Sequence, residues 1–230
     1  MSKEVVVDVW GDFACFTQSD AKVERVTYDA PTPSACRGIL SAIYCKPKEF
    51  YYEITRIEVM NPIRYINVRR NEIKKKVNEK SLEPLNVDEM HTQRGTVYLR
   101  DVYYRIYASI HRRADLDDPR ICEDGLKRQF DSRVSHGKCF YQPYLGQKEC
   151  ICFFAPANEK MVPMHYSKDL GITLYDIFDI RDNTPLDTSR KHASGHIAVS
   201  YYHPYMIDGV IKVPEFESKE VFRVEEGKDV

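Results

Sequence analysis

The alternation of apolar and polar positions divides the chain into short elements. EVVVDVW (4–10) is a β-branched run closed by Gly11 and reads as a first strand. The residues from Phe13 onward are mostly turn formers, so a long loop follows. In PTPSACRGILSAIYCKP (31–47), Ala35, Ile39, Ala42 and Ile43 fall at helical spacing, which predicts a helix over 34–45 with Ser34 as cap and Pro47 as stop. FYYEITRIEVM (50–60) alternates as a strand, and its alternation slips at Thr55–Arg56, where a bulge is expected. Residues 66–95 begin like a strand and dissolve into a charged stretch before TVYLRDVYYRIYASIH (96–111), so the two runs predict an extended hairpin. Leu126, Phe130 and Val134 then mark a second helix ending at Gly137, and CICFFAP (150–156) reads as a buried strand.

The resulting order is β-α-β, a β-hairpin, then β-α-β. Without the hairpin it is the split βαβ pattern of a ferredoxin-like domain, the fold of RNA-recognition modules. After Pro156 the pattern changes to short β runs broken by Gly, Pro and Asp, with no second βα unit. The expected fold class is α+β. A ferredoxin-like N-terminal domain with an inserted β-hairpin covers 1–156, and a small antiparallel β-rich region covers 157–230.

Composition narrows the setting. Of 230 residues, 43% are hydrophobic and 30% charged, enough for a sizeable core in a globular chain. Net charge is −1, so overall charge neither favours nor excludes nucleic acid. Seven cysteines are scattered without zinc spacing, and the N-terminus has no signal-peptide pattern, which together indicate reduced thiols in the cytoplasm. No apolar run approaches the ~18 residues of a membrane span.

Charge distribution is more informative than the total. Residues 64–80 hold seven Lys and Arg (including Arg64, Arg69, Arg70, Lys74, Lys75 and Lys76) against two Glu. A solvated loop accounts for such a run. The neighbouring Tyr51, Tyr52, Tyr65, Tyr98, Tyr103, Tyr104 and Tyr107 add aromatic faces beside cations, the combination that single-stranded RNA needs, although strand alternation sends about half of them into the core. GKCFYQPYLGQKEC (137–150) is the second constellation. Gly137 and Gly146 let backbone approach a ligand, Lys138 and Lys148 add charge, and successive amides form a candidate phosphate cradle; the alternative is a helix cap followed by a tight turn.

No GxSxG, Walker A, GxGxxG or HExxH motif occurs, and His192 with His196 lacks further ligands, so neither a cofactor nor a metal is indicated. Metal-free RNA cleavage asks for less: a deprotonated 2′-hydroxyl, a stabilised phosphorane and a protonated 5′-oxygen. Tyr44, at the end of the first helix, is a candidate for such work, although its position alone reads first as a core-edge aromatic at a helix terminus.

The segments VWGDFACFT (9–17), YDAPTPSACRGILSAIYCKP (28–47), IRYINVRRNEI (63–73) and GKCFYQPYLGQKE (137–149) resemble, in the same order, the CRISPR-associated Cas-five family in its type I-C (Dvulg) branch. The resemblance implies a ferredoxin-like domain that cuts the hairpin repeats of precursor CRISPR RNA. The cut falls at the 3′ base of the stem, without metal, and leaves a 2′,3′-cyclic phosphate and a 5′-hydroxyl. It also implies that the protein then stays on the crRNA 5′ handle with the other subunits of the type I-C interference complex. The family's catalytic tyrosine, in an IYxKP motif, carries over to Tyr44, and its lysine falls on Lys127. Its adjacent histidine does not carry over, because Arg128 follows Lys127; Arg128 can stabilise phosphorane charge but cannot shuttle protons, which leaves His136 or His111 as substitutes, or Tyr44 and Lys127 acting slowly without one. The family places RNA contacts on the glycine-rich loop. The departure at Arg128 keeps open a second reading, a non-catalytic subunit that binds the crRNA 5′ handle. Duplex-DNA binding by residues 64–80 is a third.

Overall fold

The computed structural model describes residues 4–21, 23–73, 91–113, 116, 118–178, 180–181 and 199–223. It is an α+β fold built mainly of antiparallel strands. In chain order these are β1 (Glu4–Ala14), α1 (Pro33–Ile43), β2 (Phe50–Val59), β3 (Tyr65–Ile73), β4 (His91–Arg112), α2 (Glu123–Ser135) and β5 (Phe153–Ala155). Six short strands follow: β6 (Lys168–Asp169), β7 (Thr173–Asp176), β8 (Ser200–Tyr202), β9 (Tyr205–Ile207), β10 (Val210–Lys212) and β11 (Phe222–Arg223).

One eight-stranded sheet runs β5-β1-β4-β2-β10-β9-β6, with β3 paired to the outer half of β4; β11-β8-β7 form a second, three-stranded sheet. The expected hairpin is present, pairing Tyr65 with Leu99 through Ile73 with His91. It is continuous with the main sheet, because the 22-residue β4 serves both. Asp101 adopts a left-handed φ of 53° where β4 passes from hairpin to sheet, and its carbonyl accepts from Asn61 Nδ2 at 2.8 Å. The expected bulge lies in β2, where the register shifts between Ile54 and Arg56.

Three local expectations need correction. β1 continues past Gly11 to Ala14, because β4 still offers partners there, Arg100 for Phe13 and Leu99 for Ala14. α1 starts two residues earlier than a Ser34 cap allows. Pro33 suits the first helical position, so Thr32 is the cap and accepts from Ala35 N at 3.1 Å, while Ser34 Oγ donates to Asp176 instead. The 150–156 run is an edge strand only over 153–155. Cys150 and Cys152 are buried, but Phe153, on the alternate face, is 51% exposed.

Val5, Val7 and Val9 of β1 and Tyr104, Ile106, Ala108 and Ile110 of β4 form the buried side of the sheet, against which α1 and α2 pack. α2 buries Leu126, Phe130 and Val134, the stripe its spacing predicts. The sheet's other face is closed around a buried charge. Asp8, fully buried, takes Arg105 Nε at 2.6 Å and Nη2 at 3.1 Å, the Tyr103 hydroxyl at 3.1 Å and Asn158 N at 2.9 Å. β10 extends the sheet by pairing with β2, and Arg37 of α1 grips Asp176 of β7 through two bonds of 2.8 and 2.7 Å. Among the described residues, no helix is long and apolar enough to cross a membrane.

Candidate nucleic-acid interface and active site

The end of α1, the end of α2 and the loop after it are tied together. α2 finishes in a full Schellman cap: Gly137 N donates to Val134 O at 3.2 Å, Lys138 N donates to Arg133 O at 2.8 Å, and Gly137 takes a φ of 61°. The next residues return to α1, with Phe140 N and Tyr141 N donating to Ala42 O at 2.7 and 3.1 Å. Two residues beyond Ala42, α1 stops because Tyr44 turns extended (φ −148°, ψ 117°).

Tyr44 is therefore a cap residue with its ring in the core edge, 6% exposed and 5.2 Å from the Phe50 ring. Arg133 reaches it from α2. Its guanidinium stands 5.5 Å over the Tyr44 ring and donates to Ile43 O at 3.2 Å. Burial pushes the Tyr44 phenol above its ordinary pKa; Lys46 and Arg133 pull the other way and Glu49 adds to the rise. At neutral pH the hydroxyl is therefore protonated and fit to donate. Arg133 and Lys46 are cations that the sequence reading did not assign to this place.

Lys127 and Arg128 are not brought to Tyr44. Lys127 precedes Arg133 by six residues, which sets it about 120° around α2 and about 9 Å along its axis, on the other flank of the buried stripe. There it pairs with Asp131 at 2.9 Å, and Arg128 lies on the solvent side with Nε near Asp124 O at 3.4 Å. His136 is on the Arg133 flank, as the C-cap of α2. Its Nδ1 is 2.7 Å from Ser132 O, an acceptor only, so Nδ1 donates there and Nε2 is the ring nitrogen that this bond leaves unused. His111 is on the wrong face: it stacks on Tyr51 at 5.1 Å and pairs with Glu53 at 3.0 Å, whereas the neighbouring Phe50 points to Tyr44.

The glycine-rich loop uses its backbone internally. Besides the amides above, Leu145 N donates to Cys150 O at 2.8 Å, and Gly146 (φ 85°) lies so close to Cys15 that a Cβ would stand 2.1 Å from its carbonyl oxygen. The amides of Gly137, Lys138, Phe140, Tyr141 and Leu145 are thus taken by protein carbonyls. The loop presents outward Lys138, Lys148, Tyr144 and two adjacent rings that are its most exposed, Phe140 (65% exposed) and Tyr141 (61% exposed).

On the hairpin, Arg69 is exposed beside a groove of about 220 Å³ that Arg25, Asn67 and Thr96 also line, and Arg64 lines a cleft of about 250 Å³ with Asn61, Pro62 and Asp101. Arg70 is engaged within the protein, at 2.6 Å from Glu149 and 3.2 Å from Glu72. Lys74, Lys75 and Lys76 lie outside the described residues, as do His192 and His196. Of the candidate stacking tyrosines, Tyr52, Tyr98 and Tyr104 are core, Tyr51, Tyr103 and Tyr107 are half-buried, and exposed Tyr65 donates its hydroxyl to Asp29. Phe140 and Tyr141 escaped sequence reading because nothing in a Gly-Pro loop signals which rings face outward.

Residues 4–214 match the family described as CRISPR-associated protein (Cas_Cas5). The chain belongs to that family. It is 34% identical over 226 residues to the CRISPR pre-crRNA endoribonuclease Cas5d of Thermus thermophilus, covering 96% of both chains. It is also 34% identical over 243 residues to the Cas5d endoribonuclease of Mannheimia succiniciproducens, covering 97% of this chain and all of that one. A crystal structure described as a CRISPR-associated protein shares the fold, with a TM-score of 0.66 and 22% identity over 96% of this chain and 97% of that one.

Proposed function

We propose that this Cas5-family chain is a metal-independent endoribonuclease that cuts CRISPR repeat RNA. The observation that carries the reading is the contact between Tyr44 and Arg133 beneath a loop that offers lysines and exposed rings. His136 Nε2 takes the proton of the 2′-hydroxyl. The 2′-oxygen bonds to phosphorus as the bond from phosphorus to the 5′-oxygen breaks, and that oxygen takes the Tyr44 phenolic proton. Arg133 and Lys46 stabilise the pentacoordinate phosphate. The products are a 2′,3′-cyclic phosphate and a 5′-hydroxyl, cut at the 3′ base of the repeat stem.

The adjacent strand order β5-β1-β4-β2, antiparallel throughout and with both helices against one face, supports a ferredoxin-like arrangement over 1–156, with 157–230 as a smaller β-rich region beside it. RNA contacts are assigned to Arg64, Arg69, Lys138 and Lys148, with Gly137 and Gly146 shaping the loop. The crRNA 5′ handle and the other type I-C subunits are the proposed partners after cleavage. Seven unpaired thiols support a cytoplasmic setting.

The test is incubation of the pure protein with its repeat hairpin in EDTA. Saturated binding with no cut at the stem base would sink the nuclease reading. That outcome would favour a non-catalytic handle-binding subunit, the alternative that the small exposure of Tyr44 supports. A Tyr44→Phe protein should bind RNA normally and cleave at least about a hundred-fold more slowly, the scale of one proton-transfer group. Cleavage at the wild-type rate would remove the tyrosine from the mechanism.

A further inference from the structure

Phe140 and Tyr141 stand out in the loop because nothing in the described protein covers them. They are neighbours in sequence, meet edge to face with centroids 4.7 Å apart and planes at 74°, and remain 65% and 61% exposed. Tyr144 further along the loop is also 42% exposed, but Leu145 beside it is fully buried, and the two adjacent rings, the most exposed in the loop, are a surface that a ligand completes. The edge-to-face geometry leaves a broad face of at least one ring open.

Their support is rigid. Both amides donate to the same carbonyl, Ala42 O, and the preceding turn is locked by the Schellman cap of α2. Stacking here costs little backbone ordering, so more of the stacking energy appears as affinity. Their place is equally specific. Ala42 is two residues before Tyr44, and Arg133, which stands over the Tyr44 ring, also accepts Lys138 N through its carbonyl. Lys138 is exposed two residues before Phe140, and Lys46, two residues after Tyr44, pairs with Glu49 at 2.9 Å, so it is Lys138 that offers positive charge to a ligand on these rings.

We infer that Phe140 and Tyr141 form a stacking site for one unpaired nucleobase next to the scissile phosphate. This rests on the endoribonuclease reading of Tyr44 and deepens it. Tyr44 acts on the phosphate; the ring pair sets which nucleotide is held there. A base fits the site better than an apolar protein segment because it brings a phosphate for Lys138 as well as a flat face for the rings. Since every base has a π-face, the site selects for an unpaired nucleotide more than for its identity.

The experiment uses repeat hairpins carrying 2-aminopurine singly at each unpaired position flanking the 3′ base of the stem, with 2′-deoxyribose at the cut nucleotide so that no reaction occurs. Wild-type protein should quench the fluorescence at one position. Phe140→Ala and Tyr141→Ala should each abolish that quench and weaken binding about ten-fold, the scale of one base–aromatic stack. A fully paired duplex of the same length should bind all three proteins alike. Phe140→Leu, which keeps apolar bulk without a ring, guards against loss of folding and should also lose the quench.

Equal quenching and equal affinity in wild type and the alanine variants overturn the inference, and point to a protein partner on these rings instead. A quench that depends on Phe140 and Tyr141, in a protein that never cleaves an all-ribose hairpin, leaves the stacking site standing and removes the nuclease reading. The two failures are therefore distinguishable.

Discussion

Gly146 and Gly137 both have positive φ and both lie in or beside the glycine-rich loop, yet they should respond very differently to alanine. At Gly137 (φ 61°) an added Cβ meets nothing within 4 Å. The cost of Gly137→Ala is then the left-handed backbone alone, about 1–2 kcal/mol. At Gly146 (φ 85°) the same Cβ would lie 2.1 Å from Cys15 O, 2.6 Å from Cys15 C and 3.0 Å from Phe16 Cδ1. Two of these are backbone atoms, and they cannot swing aside. The loop must move off Cys15, which strains the 3.0 Å bond from Cys15 N to Leu145 O. Forced overpacking adds about 1–3 kcal/mol, and a weakened buried hydrogen bond about 1 kcal/mol more. Gly146→Ala should therefore be at least ~2 kcal/mol less stable than Gly137→Ala, or about 4–8 °C lower in Tm for a chain of this size. Urea and thermal unfolding of both variants give the comparison directly. Equal stabilities would refute the packing argument. If Gly146→Ala instead kept full stability and lost only RNA affinity, the glycine would serve the ligand and not the fold.

Three further outcomes are expected. Asp8→Asn should destabilise by about 3 kcal/mol in urea titration, because it removes the closer counter-charge of the buried Arg105 guanidinium and leaves it only Glu58 at 3.7 Å; a loss under 1 kcal/mol would show that the site admits water. The half-buried His111–Glu53 pair raises the imidazole pKa, chiefly through Glu53, and lowers the Glu53 pKa, chiefly through His111. Its contribution is thus present below the unfolded histidine value and above the unfolded glutamate value, and fades as pH rises through the folded histidine value. The stability gap between wild type and His111→Gln should be a few tenths of a kcal/mol, about the scale of a partly exposed pair, and larger at pH 6 than at pH 8; a pH-independent gap would refute it. Arg133→Met should slow cleavage at saturating RNA at least ten-fold while changing affinity less than about three-fold, consistent with loss of one charge-stabilising group; equal losses in both would make Arg133 a binding residue only.

The chain's local grammar was legible and its long-range contacts were not. Leu126, Phe130, Val134 and Gly137 state a helix, its buried face and its cap within a dozen residues, and the slip at Thr55 marks a bulge, because each depends on near neighbours. The extension of β1 past Gly11 depends on what β4 offers opposite it, and the pairing of β10 with β2 joins residues some 150 positions apart. Thr32 against Ser34 was a contest between two good caps that Pro33 decides. In the candidate site, the place of Tyr44 at the end of α1 was legible, but its contact with Arg133 was not. Whether α2 offers Tyr44 the flank with Arg133 or the flank with Lys127 is settled only by where α1 lies.

The basic segment shows the same limit in terms of charge. Along the sequence, arginines 69 and 70 are equal members of a positive run. Across the sheet they separate, because successive β3 residues face opposite ways. Arg70 joins Arg25 and Arg94 around Glu72 and Glu149, three cations sharing two carboxylates at 2.6–3.8 Å. Arg69 makes no ion pair among the described residues and lines the open groove. Charge counted along the chain therefore overstates what reaches a phosphate. Glu149 directly follows Lys148, so the contact with Arg70 also fastens the glycine-rich loop to the hairpin. An RNA that draws on Lys148 and Arg69 together would find the two surfaces already held in register, with Arg70 acting through position and not through its charge.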